Sequence, residues 1–436
     1  MMFGPVQRRC CTLALFLTLT PALAAAQASD SARTVTLREA VRLSLENAPA
    51  MVAAEGALDV AEAGRLQARG TLLPSVTANG VFSNSSNERF DQATGRLVSQ
   101  NYSAQLTGGY DVFTGGRRIA QLRGAGADVD AAQADVRAQR FATVLATTQA
   151  FYAAAAADDI VRAAAQRLER ARQQMEFART RLEIGTATQS DALRAELEVG
   201  NAEIALIDAT TSLRNATLQL GRRIGEDAAV RAAPAALPSQ APPLPALAEL
   251  VERALRTSPE VLAVEATLAS RSADRLEAYL GYTPTVRLTG GYDWFAADFP
   301  PDQRSWNMRL TASLPVFNGF IREAAVQRAI AARRTAEAQA RDAALAVRAA
   351  VEAAASAVSA AQRRVEIADR AIELAREDLR VQEERYQIGA ATILDLQTSQ
   401  VALTDAEVSA VRTRQDLGTA VAQLEAVLGE TIMEAQ

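Results

Sequence analysis

Two aspartates recur at matching places in this chain. Asp191 and Asp395 each lie three residues beyond a threonine, Thr188 or Thr392, and six beyond a glycine, Gly185 or Gly389. A carboxylate three residues past a helix-starting threonine accepts hydrogen bonds from free backbone N–H groups, a capping box with Asp in place of Glu. In a symmetric assembly the same carboxylates would be multiplied into a charged ring at a constriction; the two readings are compatible. Catalytic chemistry is poorly supplied. Among 436 residues there is no histidine, every basic side chain is arginine, and the only cysteines are Cys10 and Cys11. The chain therefore lacks an imidazole base or ligand and a lysine for a Schiff base or P-loop. The remaining carboxylates form no paired catalytic set, so no enzyme, cofactor or metal site is expected. A formal net charge of −5 argues against a nucleic-acid partner.

The N-terminus carries Arg8 and Arg9, an apolar run from Thr12 to Leu23, and then Ala24, Ala25 and Ala26. That order predicts a secretory signal peptide over residues 1–26 rather than a retained anchor. Both cysteines fall inside it, outside the context expected before a lipidated cysteine, so the mature protein is expected to be free of disulfides and not lipidated. No later stretch approaches about 18 consecutive apolar residues, and no transmembrane helix is expected.

The segments that carry these aspartates belong to a chain that repeats itself. Leu37, Glu39, Val41, Leu45 and Pro49 match Leu247, Glu249, Val251, Leu255 and Pro259 at an offset of 210; Pro74 matches Pro284. Past a shorter loop the offset is 204: Phe113 and Gly115 match Phe317 and Gly319, and Gly185, Thr188 and Asp191 match Gly389, Thr392 and Asp395. The expected organisation is a first repeat over 27–222, a Pro-rich linker over 223–246, and a second repeat over 247–436. Each repeat reads as a helical segment (36–70, 247–280), a strand pair (75–113, 283–317), a very long helix (117–184, 321–388), a tip (185–191, 389–395) and a closing helix (189–222, 393–429).

The strands alternate with period two. Tyr102, Ala104, Leu106, Gly108, Tyr110 and Val112 interleave with Ser103, Gln105, Thr107, Gly109 and Asp111. Val286, Leu288, Tyr292 and Trp294 interleave with Thr285, Arg287 and Asp293, and Trp306, Met308 and Leu310 with Asn307 and Arg309. One apolar and one polar face over about ten residues suit a tilted strand in a bilayer. Fourteen of the 21 aromatic residues fall within 80–115 and 279–320. Tyr102, Tyr110, Tyr292, Trp294 and Trp306 are read as a barrel's aromatic girdle, in contact with outer-membrane lipid. Four strands cannot close a barrel, and an open edge is not tolerated in lipid. Two copies would give eight strands and three would give twelve. Ser83–Gln100 and Ala296–Arg304 are expected as outward loops.

Each long helix would extend on the order of 100 Å. Near its end it carries a heptad seam: Val161, Ala164, Leu168, Ala171, Met175, Ala178, Leu182, and Val365, Ala368, Ile372, Ala375, Leu379, Gln382, Tyr386. Gly185 and Gly389 stop the helices, and Thr188 and Thr392 restart them as N-caps.

These tips, Ile184-Gly185-Thr186-Ala187-Thr188-Gln189-Ser190-Asp191 and Ile388-Gly389-Ala390-Ala391-Thr392-Ile393-Leu394-Asp395, in a duplicated chain with two strand pairs, resemble the TolC-like outer-membrane efflux family. The resemblance implies a mostly α fold with a membrane β-barrel: a homotrimer with a 12-stranded barrel and a periplasmic α-barrel of long coiled hairpins, exporting small molecules or proteins without catalysis. It implies a periplasmic adaptor protein and, through it, an inner-membrane pump. By that resemblance Ile184, Gly185, Ile388 and Gly389 match the adaptor-contact motif, Asp395 a constriction aspartate, and Asp191 and Tyr386 a latch that holds the tips closed. Two positions depart from the family: a latch arginine is Ala391 here, and a second constriction aspartate is Thr398. A competing reading is a periplasmic coiled-coil adaptor or structural spacer, which the alternating aromatic strands disfavour.

Overall fold

The computed structural model describes residues 33–91, 95–234 and 237–431. The segment read as a signal peptide lies outside these residues. Fourteen elements follow in chain order: β1 (Arg33–Val35), α1 (Leu37–Asn47), α2 (Pro49–Gly70), β2 (Ser75–Asp91), β3 (Arg96–Phe113), α3 (Arg117–Glu183), α4 (Gln189–Ile224), then β4 (Val230–Ala232), α5 (Leu247–Thr257), α6 (Pro259–Leu280), β5 (Thr285–Ala296), β6 (Gln303–Ser313), α7 (Ile321–Gln387) and α8 (Ile393–Leu428). The second seven repeat the first seven. The short strands that begin the two sets, β1 and β4, pair in parallel, with Val35 opposite Ala232. The segment read as a linker thus contains a strand of its own.

The opening helical segment of each repeat is two helices, not one. Pro49 and Pro259 force the residue before them out of the helical region, and Ala48 and Ser258 sit at ψ 122 and 124. Proline then begins the next helix, where its missing N–H costs nothing. The Ser/Asn-rich stretch after Val81, expected as a loop, remains strand. β2 and β3 pair out to Asp91 and Arg96, with an irregularity between Asn84 and Arg89. Polar side chains do not prevent backbone pairing where the partner strand is already in register.

The long helices α3 and α7 have 67 residues each, on the order of 100 Å of helix. Each folds back along its follower, α3 on α4 and α7 on α8, and α3 also packs on α8, which joins the two hairpins. The heptad seam is buried at Ala164, Leu168, Ala171 and Ala178 in α3, and at Val365, Ala368, Leu379 and Tyr386 in α7. Alanine at these positions lets the helix backbones approach closely. One apolar cluster joins Leu250 and Ala254 of α5 to Val347, Val351 and Val358 of α7 and Leu417, Leu424 and Leu428 of α8. Its counterpart in the first repeat holds Ala40, Phe151, Tyr152, Leu220 and Ile224 with Val35 and Val230 of the short strands. Tyr152 crosses toward α8, where a side chain at Gly418 would lie 2.4 Å from its ring. One helix, α7, contains a window that by length and composition could cross a membrane. Val347, Val351 and Val358 of this helix belong to the first of these apolar clusters.

The larger sheet has the antiparallel order β2-β3-β5-β6. Register aligns the apolar positions across it. Leu106 faces both Ala78 and Tyr292, and Tyr292 faces Trp306; Tyr110 faces Leu288, and Leu288 faces Leu310. The opposite face aligns Asn79, Gln105, Asp293 and Ser305.

Candidate functional site

The two tips share one backbone. Each long helix ends at an isoleucine with φ −87 and ψ 3, Ile184 or Ile388. A left-handed glycine follows, Gly185 at φ 81 or Gly389 at φ 79. The amide after each glycine donates back to the last turn, Thr186 N to Arg181 O and Ala390 N to Arg385 O, both at 2.8 Å. That is a Schellman closure, which glycine adopts without a Cβ clash. Ile184 is 69% exposed and Ile388 80%. Two bare isoleucines at the end of a charged hairpin have no packing role within the chain.

The capping boxes are complete at both tips. The Thr188 backbone N–H donates to Asp191 Oδ2 at 2.9 Å, its hydroxyl donates to the same oxygen at 2.8 Å, and Asp191 N donates to Thr188 Oγ1 at 3.2 Å. At the second tip the Thr392 and Asp395 distances are 2.9, 2.7 and 3.2 Å. Hydrogen bonds from Thr188 hold the Asp191 carboxyl below the usual carboxylate range, with further help from Arg194 and Arg181. Thr392 does the same for Asp395, helped by Arg385. Both carboxylates are thus stable anions at the start of a helix, where the backbone dipole also favours negative charge.

Packing distinguishes the tips. Tyr386 is buried and joins Ala178, Ala195, Leu379, Ile393 and Leu396 in a cluster drawn from both hairpins. Its ring lies 5.9 Å from that of Phe177. The Arg181 guanidinium sits 5.2 Å from the Tyr386 ring centre, and Arg181 Nη1 donates to the Tyr386 carbonyl at 3.0 Å. Burial raises the pKa of the Tyr386 hydroxyl, an effect that Arg181 opposes and Asp191 reinforces. Asp191 and Tyr386 are therefore within electrostatic reach of each other, with Arg181 acting on both. Arg181 is the tip residue that sequence reasoning missed. The available signal was an arginine at the same place in both repeats, Arg181 and Arg385, in the last turn of a helix where a cation is favoured. Ala391 lies partly buried against the same cluster, and the Thr398 hydroxyl donates to the Leu394 carbonyl at 2.8 Å.

At the other end of the long helices, the sheet is bare. Among the described residues no helix lies along either of its faces, and only the start of α3 reaches it, the Arg118 guanidinium 5.5 Å from the Tyr110 ring centre. Trp306 is 72% exposed and Met308 71%, and Val76, Phe82 and Leu310 are exposed beside them. Tyr102 stacks across strands on Phe82 at 4.8 Å, and Tyr292 lies 4.6 Å from Trp294. Tyr110 stands eight residues from Tyr102 on the same face, about 27 Å along the strand. Between them on that face lie Ala104, Leu106 and Gly108. On the polar face Asp111 pairs with Arg287 at 3.6 Å, and Asn307 donates to Asp293 at 3.4 Å.

Duplicated strand pairs, paired long helices and capped tips define the TolC-like channel fold. It is shared with the outer membrane protein VceC of Vibrio cholerae: TM-score 0.77, 18% identity, 91% of this chain and 96% of that one. The open state of the MtrE outer membrane channel of Neisseria gonorrhoeae gives a TM-score of 0.76 at 20% identity, covering 90% of this chain and 89% of that one. Residues 40–226 and 250–430 match the model of the outer membrane efflux protein family, and the chain belongs to that family. Protein CyaE of Bordetella pertussis is 28% identical over 321 residues, 71% of this chain. The chain spans 66% of the length of CyaE.

Proposed function

We propose that this chain is the outer-membrane exit duct of a tripartite efflux or type I secretion system. It would pass small molecules or proteins passively through a water-filled path, with no catalysis of its own. The observation that carries the proposal is the four-stranded sheet. It presents an aromatic-rimmed apolar face that is largely exposed, a polar face opposite, and, among the described residues, two edge strands, β2 and β6, without an outer neighbour. In water such a sheet is an aggregation hazard. In a bilayer it is a third of a closed barrel, and three copies supply twelve strands. The apolar face would meet lipid, with Tyr102, Tyr110, Tyr292, Trp294 and Trp306 as the girdle, and the polar face would line the lumen.

The long helices would then extend into the periplasm as an α-barrel, with the short strands β1 and β4 at its equator. At the tips the exposed Ile184 and Ile388, presented by Gly185 and Gly389, would meet a periplasmic adaptor linked to an inner-membrane pump. Asp395 would face the constriction, and Asp191 and Tyr386 would take part in holding the tips closed. An exported, unlipidated protein fits this placement. A periplasmic adaptor or spacer would have no use for the bare apolar face.

Membrane fractionation followed by planar-bilayer recording tests the reading. The expected result is partition with outer membranes and discrete ion-conducting channels. Recovery with soluble or inner-membrane proteins, and silent bilayers, would overturn it.

A further inference from the structure

The repeat offsets predict contacts that a single chain cannot make. Within each hairpin they carry register without error. Ser75 opposite Gly109 becomes Thr285 opposite Ser313, and Phe82 opposite Tyr102 becomes Tyr292 opposite Trp306. The first strand of each pair shifts by 210 and the second by 204.

The same operation applies to the seam between the repeats. There the turn that joins β3 to α3 packs against the end of α6. A side chain at Gly115 would lie 1.6 Å from Thr283 Oγ1, and a Cβ on Gly116 would touch Leu280 Cδ1 at 3.7 Å. Shifted by the repeat, Gly115 and Gly116 become Gly319 and Phe320, while Thr283 and Leu280 become Leu73 and Gly70. Bulk has exchanged sides. The inner seam sets a glycine against a leucine; the shifted pair sets a phenylalanine against a glycine.

In the single chain each of these residues is bare. Phe320 is 68% exposed, Phe317 73% and Leu73 68%. Nothing lies within 4 Å of a Cβ built on Gly70 or Gly319. Phe320 is also the one non-glycine residue with positive φ among the described residues, at 65°, where its counterpart Gly116 sits at 84°. A bulky residue there is strained unless a contact holds it. Phe317 supports it from within the chain, edge-on at 5.5 Å.

We infer that Phe320 is a knob that seats over Gly70 of the partner subunit, with Leu73 of the partner subunit against Gly319, locking neighbouring copies together where barrel meets helices. The same shift turns Leu106 opposite Tyr292 into Leu310 opposite Phe82 of the partner subunit. Both side chains then fall on the apolar face, as a continuous barrel requires. The inference rests on the trimeric reading above.

Thiol cross-linking in detergent-extracted full-length protein tests it, because Cys10 and Cys11 are the only native thiols and the parent chain serves as control. Phe320→Cys with Leu73→Cys, treated with a short bis-maleimide, should give covalent dimers and trimers, whereas Phe320→Cys with the exposed Val52→Cys, five turns from Gly70 along α2 and about 27 Å away, should give none. Gly70→Leu should abolish the trimer on native gels, and adding Phe320→Gly should restore it by recreating the inner-seam pair. A parent trimer with no cross-link from the first pair, or a Gly70→Leu defect that Phe320→Gly does not relieve, overturns the knob and leaves the trimer standing. A parent protein that is monomeric overturns both.

Discussion

At the first tip Leu182 lies half-buried in the seam; at the second tip its equivalent, Tyr386, is buried against Phe177 and under the Arg181 guanidinium. The arginines differ in the same direction. Arg181 reaches across to the other hairpin's Tyr386 carbonyl, whereas Arg385 reaches only to Ala390 in its own loop, at 3.3 Å. The glycine, cap and aspartate geometry is otherwise the same at both. Duplication has kept the backbone device that turns the chain, and divergence has acted on the side chains that hold one hairpin to the other. The second tip is thus the clasped one and the first supplies the clasp. A tip that only needs to turn can be built from capping alone; one that must be held and released needs a contact that another element can lose.

The largest expected break of this asymmetry is Tyr386→Ala. Truncating a buried aromatic costs about 3–5 kcal/mol, against roughly 1 kcal/mol for Leu182→Ala at a half-buried site. Amide exchange over residues 175–200 and 379–403 should speed strongly in the first variant and weakly in the second, with higher basal conductance only in the first. Equal effects would mean that the tips are not distinct. Arg181→Ala removes a hydrogen bond and a cation–π contact and should cost about 1–3 kcal/mol of tip protection. Arg385→Ala, which breaks only a contact within its loop, should change exchange little. Thr188→Ala and Thr392→Ala each remove a cap worth about 1 kcal/mol. Here the two tips should respond alike, which sharpens the claim that capping is common to both and clasping is not.

Ala391→Arg places an arginine where some relatives of the resembled family carry one and this chain does not. Placed against Asp191, it should lower basal conductance; recordings that match the parent would remove Asp191 from any latch. The smallest effect concerns acid. Asp191 and Asp395 have folded pKa values below the unfolded value of about 3.9. Their stabilisation is therefore complete above that value and is lost as pH falls through the folded pKa. Tip exchange, corrected for intrinsic rate, should be flat from neutrality to about pH 5 and should rise only in stronger acid. Asp191→Asn and Asp395→Asn should weaken that acid response, each at its own tip; a response centred near neutrality would contradict the capping account.

Much of this was legible because it rests on local rules. Period-two alternation marks strands with two unlike faces, as between Tyr102 and Val112. Glycine followed by Thr-x-x-Asp states a stop and a restart in seven residues. What escaped depends on short or long-range causes. β1 and β4 are three residues each and owe their existence to each other, across nearly 200 residues of chain. The breaks at Pro49 and Pro259 were masked by an apolar pattern that continues on either side of them. Arg181 resembles any surface arginine until the fold brings Tyr386 to it.

The central claim is that the bare sheet is one part of a barrel closed by other copies in lipid. Its most direct test is the native mass of the mature protein extracted in mild detergent. The account predicts a trimer that needs detergent to stay in solution. A monomer that is soluble in water without detergent would leave the edges of β2 and β6 unpaired and would contradict it.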